Sequence, residues 1–202
     1  MTSETGTYGD VRIAGRRVML QPHNCFACGT LNVQGLHLAL HAGDGRCWVD
    51  TTLDARFEGW EGIAHGGIIS TILDEVMAWA VVEHDLWGVT ARMSIEFKRP
   101  VPIGKPIHGE GRVTSVRRRI VEAEGVLTDE GGTVLARAEA TFVGAPDDRK
   151  AELKARYGFV LVPDEHERSA TPGRGDEIAD SDGDAAPAGA SVRDHASIGR
   201  PE

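Results

Sequence analysis

The stretch His65–His84, HGGIISTILDEVMAWAVVEH, decides how the chain is read. It lacks proline and is too long for an ordinary strand, so it is read as a helix. At about 3.6 residues per turn, Ile68, Ile69, Ile72, Leu73, Val76, Met77, Trp79, Ala80 and Val82 cover most of its circumference. A helix apolar on most sides belongs in the middle of a domain. One narrow stripe breaks the pattern: Gly67, Thr71, Asp74 and Ala78 are all small or polar. Asp74 stands about two turns inside the helix, so it is not the N-cap and lies beyond the first turn where the dipole favours anions. A buried, uncompensated carboxylate is costly, which points to a cavity beside Asp74 rather than core. Glu75, about 100° further round, is read as the acid that faces solvent.

The start of the same helix supports a site. Gly66 and Gly67 follow His65 and let another group approach the first backbone N–H donors closely. Those donors sit at the positive end of the helix dipole, suited to an anion or a developing oxyanion. Donors and a carboxylate on one stripe are what acyl transfer to water requires: something to polarise a carbonyl and a base to take a proton.

Outward from the helix, strands dominate. Gly35–Ala42 alternates Leu36, Leu38 and Leu40 with polar or small residues, and the turn AGDG leads to a second strand, Arg46–Leu53. Thr90–Lys98 alternates most clearly, with Ala91, Met93, Ile95 and Phe97 against Arg92, Ser94, Glu96 and Lys98. PVPIGKP interrupts the chain. Ile107–Val116 and Ile120–Thr128 are weaker strands, and DEGG joins the latter to Thr133–Val143 as a hairpin. Asp147–Tyr157 fits a short amphipathic helix with an acidic start. Two strands, one long helix and four strands give an α+β fold with an antiparallel sheet.

The 202 residues suit one domain with extensions: an N-terminal arm over 1–20, the domain over 21–160, and an acidic tail over 165–202. That tail has no aromatic residue and is too poor in apolar side chains to fold, so it is expected to be disordered. A formal net charge of −9 argues against nucleic acid as a partner. The chain has no signal-like start and no uncharged apolar run of roughly 18 residues, so a cytoplasmic protein without membrane association is expected. Three cysteines, Cys25, Cys28 and Cys47, are too few for a disulfide scaffold. Cys25-x-x-Cys28 with His23 nearby invites a zinc or redox reading. A second such pair is absent, so it is read as a structural loop, and no metal or cofactor is expected.

The residues also resemble a known family. HGG with an acid nine residues after the histidine, on a very apolar helix, is similar to the hotdog-fold acyl-CoA thioesterases of the PaaI type (thioesterase superfamily). NCFACGTLNVQGLHL upstream and VTARMSIEFKRPVPIGKPIHGEGRV downstream extend the likeness from about Gln21 to Gly144. The resemblance implies a curved antiparallel sheet of about six strands wrapped round the helix. It further implies a homodimer, standing alone or paired into a dimer of dimers, whose active sites form across the interface.

Carried over by position, Asp74 is the general base or the nucleophile, the N–H of Gly67 polarises the thioester carbonyl, His65 shapes the turn, and Thr90 holds the water or the carboxylate. Gly66 and Thr71 lie on the substrate side. Trp60 lines the acyl pocket or packs its loop, and Arg92, Lys98 and Arg99 contact the phosphates of coenzyme A. Arg117–Arg119 is a weaker candidate for the same contact, since a charge run between strands is usually a solvated turn. Some relatives carry Asn or Gln before HGG, where this chain has Glu58, Gly59 and Glu61; Glu58 is expected to face solvent. Three functions follow: an acyl-CoA thioesterase, a non-catalytic acyl-CoA sensor, and a dehydratase. The dehydratase pairs a catalytic His with an Asp in a different arrangement, which the HGG-x6-D spacing does not match.

Overall fold

A computed structural model of the protein describes residues 11–157 and 160–161. The first ten residues and the tail expected over 165–202 lie outside the described residues. The long helix forms from Gly66 to Glu83 (α1), with His65 as its N-cap and His84 as its C-cap. Ile69, Ile72, Leu73, Val76, Met77, Ala80 and Val81 are buried, and each large one contributes about 1.5–3 kcal/mol relative to exposure.

The strands are β1 (Val11–Ile13), β2 (Arg16–Met19), β3 (His41–Gly43), β4 (Arg46–Thr52), β5 (Glu58–Trp60), β6 (Ile63–Ala64), β7 (Gly88–Phe97), β8 (Pro106–Arg117), β9 (Ile120–Asp129), β10 (Val134–Gly144) and β11 (Val160–Leu161). A second helix, α2, spans Asp147–Tyr157. Nine strands form one sheet in the order β11-β2-β1-β3-β4-β8-β9-β10-β7. Its six strands from β3 to β7 are antiparallel throughout and pack on α1, which is the hotdog arrangement. The sheet is wider than the six strands expected, because residues 11–19 fold back as β1 and β2 and β11 pairs with β2. Strand β1 joins β3 in parallel through Val11 opposite Ala42. A separate hairpin, β5–β6, stands ahead of α1.

Contact between helix and sheet depends on glycine at the crossing. Gly111 of β8 faces Gly125 of β9. A Cβ on Gly111 would lie 2.5 Å from the Val76 carbonyl carbon and 2.6 Å from the Met77 amide nitrogen. The backbone of α1 therefore rests directly on the sheet.

The expected strand Gly35–Ala42 is corrected to a three-residue strand, His41–Gly43. Leu36, Leu38 and Leu40 are buried as their alternation implies. Their segment, however, bonds to a turn: Leu36 N–H donates to Phe26 O and Leu38 N–H to Ala27 O. His37 also sits at φ 51°, which breaks the extended run. Gln21–Leu40 thus forms a loop that buries Ala27, Cys28, Leu36, Leu38 and Leu40 in the core. Among the described residues, no helix is long and apolar enough to cross a membrane.

Candidate active site

Asp74 is half-buried, and Thr90 Oγ1 of β7 donates a 2.7 Å hydrogen bond to its Oδ1. This pairing rests on an irregularity in β7. Opposite β10, Arg92 faces Thr141 while Thr90 faces Phe142, so Ala91 is the extra residue of a bulge. Strict alternation would have put Thr90 on the same face as Arg92, away from α1. The bulge turns Thr90 to the helix side together with Met93 and Ile95.

The helix start is held by its own cap. His65 Nδ1 accepts the N–H of Gly67 at 2.9 Å, and the His65 carbonyl accepts Ile68 N–H at 2.9 Å. The amide that the resemblance assigns to a substrate carbonyl is therefore occupied by the ring beside it. Ser70 and Thr71 donate back to the carbonyls of Gly66 and Gly67 at 2.8 and 2.9 Å. Along the stripe, Gly67 is exposed, and Thr71, Asp74 and Ala78 are half-buried, so this side of α1 is open in the single chain.

Other candidates separate by position. Phe97, at the end of β7, lies beside Gly66: a Cβ there would meet the Phe97 ring at 3.5 Å. Lys98 and Arg99 follow directly in the chain, their amides bonded to Leu135 O, and Lys98 pairs with Glu96. Trp60 is 81% exposed on the hairpin ahead of the helix, and Glu58 is exposed as expected, accepting Gly62 N–H at 3.1 Å. Arg92 is not brought to this group. It lines a hollow on the face of the sheet away from α1, with Ser94, Glu122, Glu139 and Thr141. Arg118 turns the β8–β9 hairpin at φ 58°, and Arg119 Nε donates to Gly144 O at 2.7 Å.

Glu75 does not face solvent, which corrects the reading of it as the surface acid. Trp79 Nε1 donates to its Oε1 at 2.9 Å, and Cys25 Sγ lies 3.9–4.0 Å from both carboxylate oxygens. Desolvation, with the neighbouring charge of Cys25, pushes the Glu75 carboxyl up to about 7. Cys25 is pulled down to about 5, chiefly by the Cys28 thiol bonded to it, against the opposing effect of burial. The Cys28 thiol is raised in turn by that bond and by burial. Helical periodicity could not find this group, because what covers Glu75 is a loop from fifty residues earlier.

A sheet wound on one apolar helix, with HGG at its start and an acid two turns on, defines a hotdog domain. Residues 61–136 match the family model described as Thioesterase superfamily. Among solved structures, the chain is similar to a thioesterase superfamily protein at 28% identity and TM-score 0.57, over 59% of this chain and 60% of that one. It also resembles the PaaI protein of E. coli from the phenylacetic acid degradation operon (18%, TM-score 0.53, over 55% and 81%). A third is the smu.793 protein of Streptococcus mutans UA159 bound to acetyl CoA (21%, TM-score 0.51, over 52% and 86%). A search of curated proteins finds no match. The resemblance to thioesterases, drawn from the sequence, is thus borne out by the family model, and its hotdog, PaaI-like fold by these structures.

Proposed function

We propose that the protein hydrolyses an acyl-CoA thioester to the free acid and CoA. The observation that carries this reading is the Asp74–Thr90 pair on an open helix stripe that begins at Gly66-Gly67. Thr90 fixes one carboxylate oxygen, and the other takes a proton from the attacking water. Alternatively, Asp74 attacks the carbonyl itself, expelling the CoA thiolate, and water opens the resulting anhydride; label from isotopically labelled water entering Asp74 in a single turnover marks this second route. The carbonyl oxygen takes the Gly67 N–H once the His65 ring swings away from it, with Gly66 N–H as the neighbouring donor. Lys98 and Arg99 supply charge for the CoA phosphates at the same end.

The working unit in this reading is a homodimer. Strand β7 is an edge strand with Val89 71% and Phe97 55% exposed, a surface that proteins ordinarily cover. Pairing two β7 edges antiparallel would lay the two open stripes side by side and bring the start of one α1 to Asp74 of the other. Equilibrium sedimentation of the full chain tests this; a monomer at assay concentrations would contradict it.

A second reading, acyl-CoA binding without turnover, is favoured by the occupied Gly67 N–H and by the absence of an amide side chain at Glu58, Gly59 and Glu61. Loss of thioester absorbance on short, medium, long and aryl acyl-CoAs, with binding measured in parallel, decides between the two. Turnover supports the enzyme, and tight binding without turnover supports the sensor.

A further inference from the structure

We propose that Cys25, Cys28 and Glu75 form a binding site for a divalent cation of the zinc class, with His23 as its outer support. The ligating atoms of these three residues lie within 4.8 Å of one another. Cys25 Sγ stands 3.9 and 4.0 Å from the two Glu75 oxygens. Zinc bonds of about 2.3 Å to sulfur and 2.0–2.2 Å to a carboxylate oxygen place tetrahedral ligands roughly 3.3–3.8 Å apart. Cys25 and Glu75 thus need to close by only a few tenths of an ångström around an ion, and Cys28 by at most about 1 Å.

The surroundings are those of a metal loop. Cys25-Phe26-Ala27-Cys28-Gly29 is a tight turn in which Gly29 N–H donates to Cys25 O at 3.0 Å. A Cβ on Gly29 would lie 2.4 Å from both the Cys25 nitrogen and the His23 oxygen, so only glycine closes the turn. His23 Nδ1 accepts the Cys25 N–H at 3.3 Å, so its proton sits on Nε2, 3.9 Å from Cys28 Sγ. The ring therefore donates to the second sulfur instead of binding the ion. Trp79 Nε1 does the same for Glu75 at 2.9 Å. Such outer partners orient ligands and tune their basicity.

Chemistry selects the metal. Two sulfurs and one carboxylate favour zinc over magnesium or calcium, which take oxygen ligands. Three protein ligands leave a fourth position for water or for the second Glu75 oxygen. The consequence is a clip: the ion ties the Gln21–Leu40 loop, which has no helix or long strand of its own, to the middle of α1. Binding energy then appears as folding energy.

The test uses the full chain, purified reduced and without a metal-affinity step. Elemental analysis should find one zinc per chain. Replacing it with Co2+ should give the thiolate-to-cobalt charge-transfer band of a sulfur-ligated tetrahedral ion. Stripping the metal should lower the melting temperature, and Zn2+ should restore it. Glu75→Gln keeps the size and the Trp79 bond, and should weaken zinc affinity at least tenfold in a folded protein. Reduced wild type that holds no zinc and gives no cobalt–thiolate band would overturn the proposal. So would a native Cys25–Cys28 disulfide, or zinc held undiminished by both Glu75→Gln and Cys28→Ala.

Discussion

Replacing Gly111 by alanine tests the packing on which the site depends. The added Cβ would meet only backbone atoms of α1, the Val76 carbonyl carbon at 2.5 Å, its oxygen at 2.6 Å and the Met77 nitrogen at 2.6 Å. None of these is the end of a flexible side chain, so helix and sheet must part by about 1 Å to restore ordinary contact. Overpacking of this kind costs typically about 1–3 kcal/mol. Against it stands a gain of about 0.4–1 kcal/mol from restricting the unfolded chain. The net expectation is a loss of about 1–2 kcal/mol, or roughly 2–8 °C in melting temperature for a domain of this size.

Two other glycines calibrate the result. At Gly125 the neighbours are side-chain atoms of Met77 and Leu73 at 3.2–3.4 Å, which can yield, so Gly125→Ala should cost less. At Gly43 the nearest atom is Arg12 Cδ at 3.6 Å, so alanine there should be neutral or slightly stabilising. Thermal melts followed by circular dichroism give the order. Gly111→Ala as stable as wild type would refute the direct seating of α1 on β8.

Three further predictions concern the helix ends and the acid. His65→Ala removes the N-cap acceptor of Gly67 N–H and should cost about 1 kcal/mol in melts, while His65→Asn should recover most of it. Thr90→Ala removes the 2.7 Å bond to Asp74; with Asp74 as the reacting group, kcat should fall with KM nearly unchanged, as steady-state acyl-CoA kinetics would show. At the other end of α1, Asp85 pairs with Lys150 and Lys154 of α2. Its desolvation is outweighed by these bonds, so its carboxyl titrates below the usual value. A lowered folded pKa adds stability above the unfolded pKa that is lost as pH falls through the folded one. Asp85→Asn should therefore cost at most about 1 kcal/mol at neutral pH, since the pair is partly exposed, and progressively less as pH falls below the usual carboxylate range, as melts across pH would show.

Much of the fold was legible because its strongest signals are local. The apolar run of α1, the AGDG and DEGG turns, and the alternation of β10 each specify their element without distant partners. The strands that read weakly, Ile107–Val116 and Ile120–Thr128, do so for the reason they matter. Gly109, Gly111 and Gly125 interrupt their apolar faces to admit the helix, and sequence alone shows only the interruption. Leu36, Leu38 and Leu40 gave a strand-like alternation in a loop, because period two reports burial, and burial does not require a ladder.

The site divides the same way. Asp74 stood out as a carboxylate in an apolar helix, and the resemblance supplied Thr90 beside it, although strict strand periodicity would give Thr90 the opposite face. One extra residue at Ala91 reverses the parity of the strand, and nothing in the composition of VTARMSI announces it. Glu75 was misread for a related reason: helical angle says which way a side chain points, not which distant loop meets it. Arg92 lies on the regular side of the bulge and keeps the polar face its alternation gave it, away from α1.

The central claim, that Asp74 is the reacting group of an acyl-CoA thioesterase, is tested most directly by one comparison. Wild type and Asp74→Asn are assayed side by side for thioester loss on the best acyl-CoA, with binding and folding checked in both. The account predicts hydrolysis by the wild type that falls by a factor of about 100 or more in a folded mutant that still binds. Equal turnover by the two proteins, or binding without turnover in either, would contradict it.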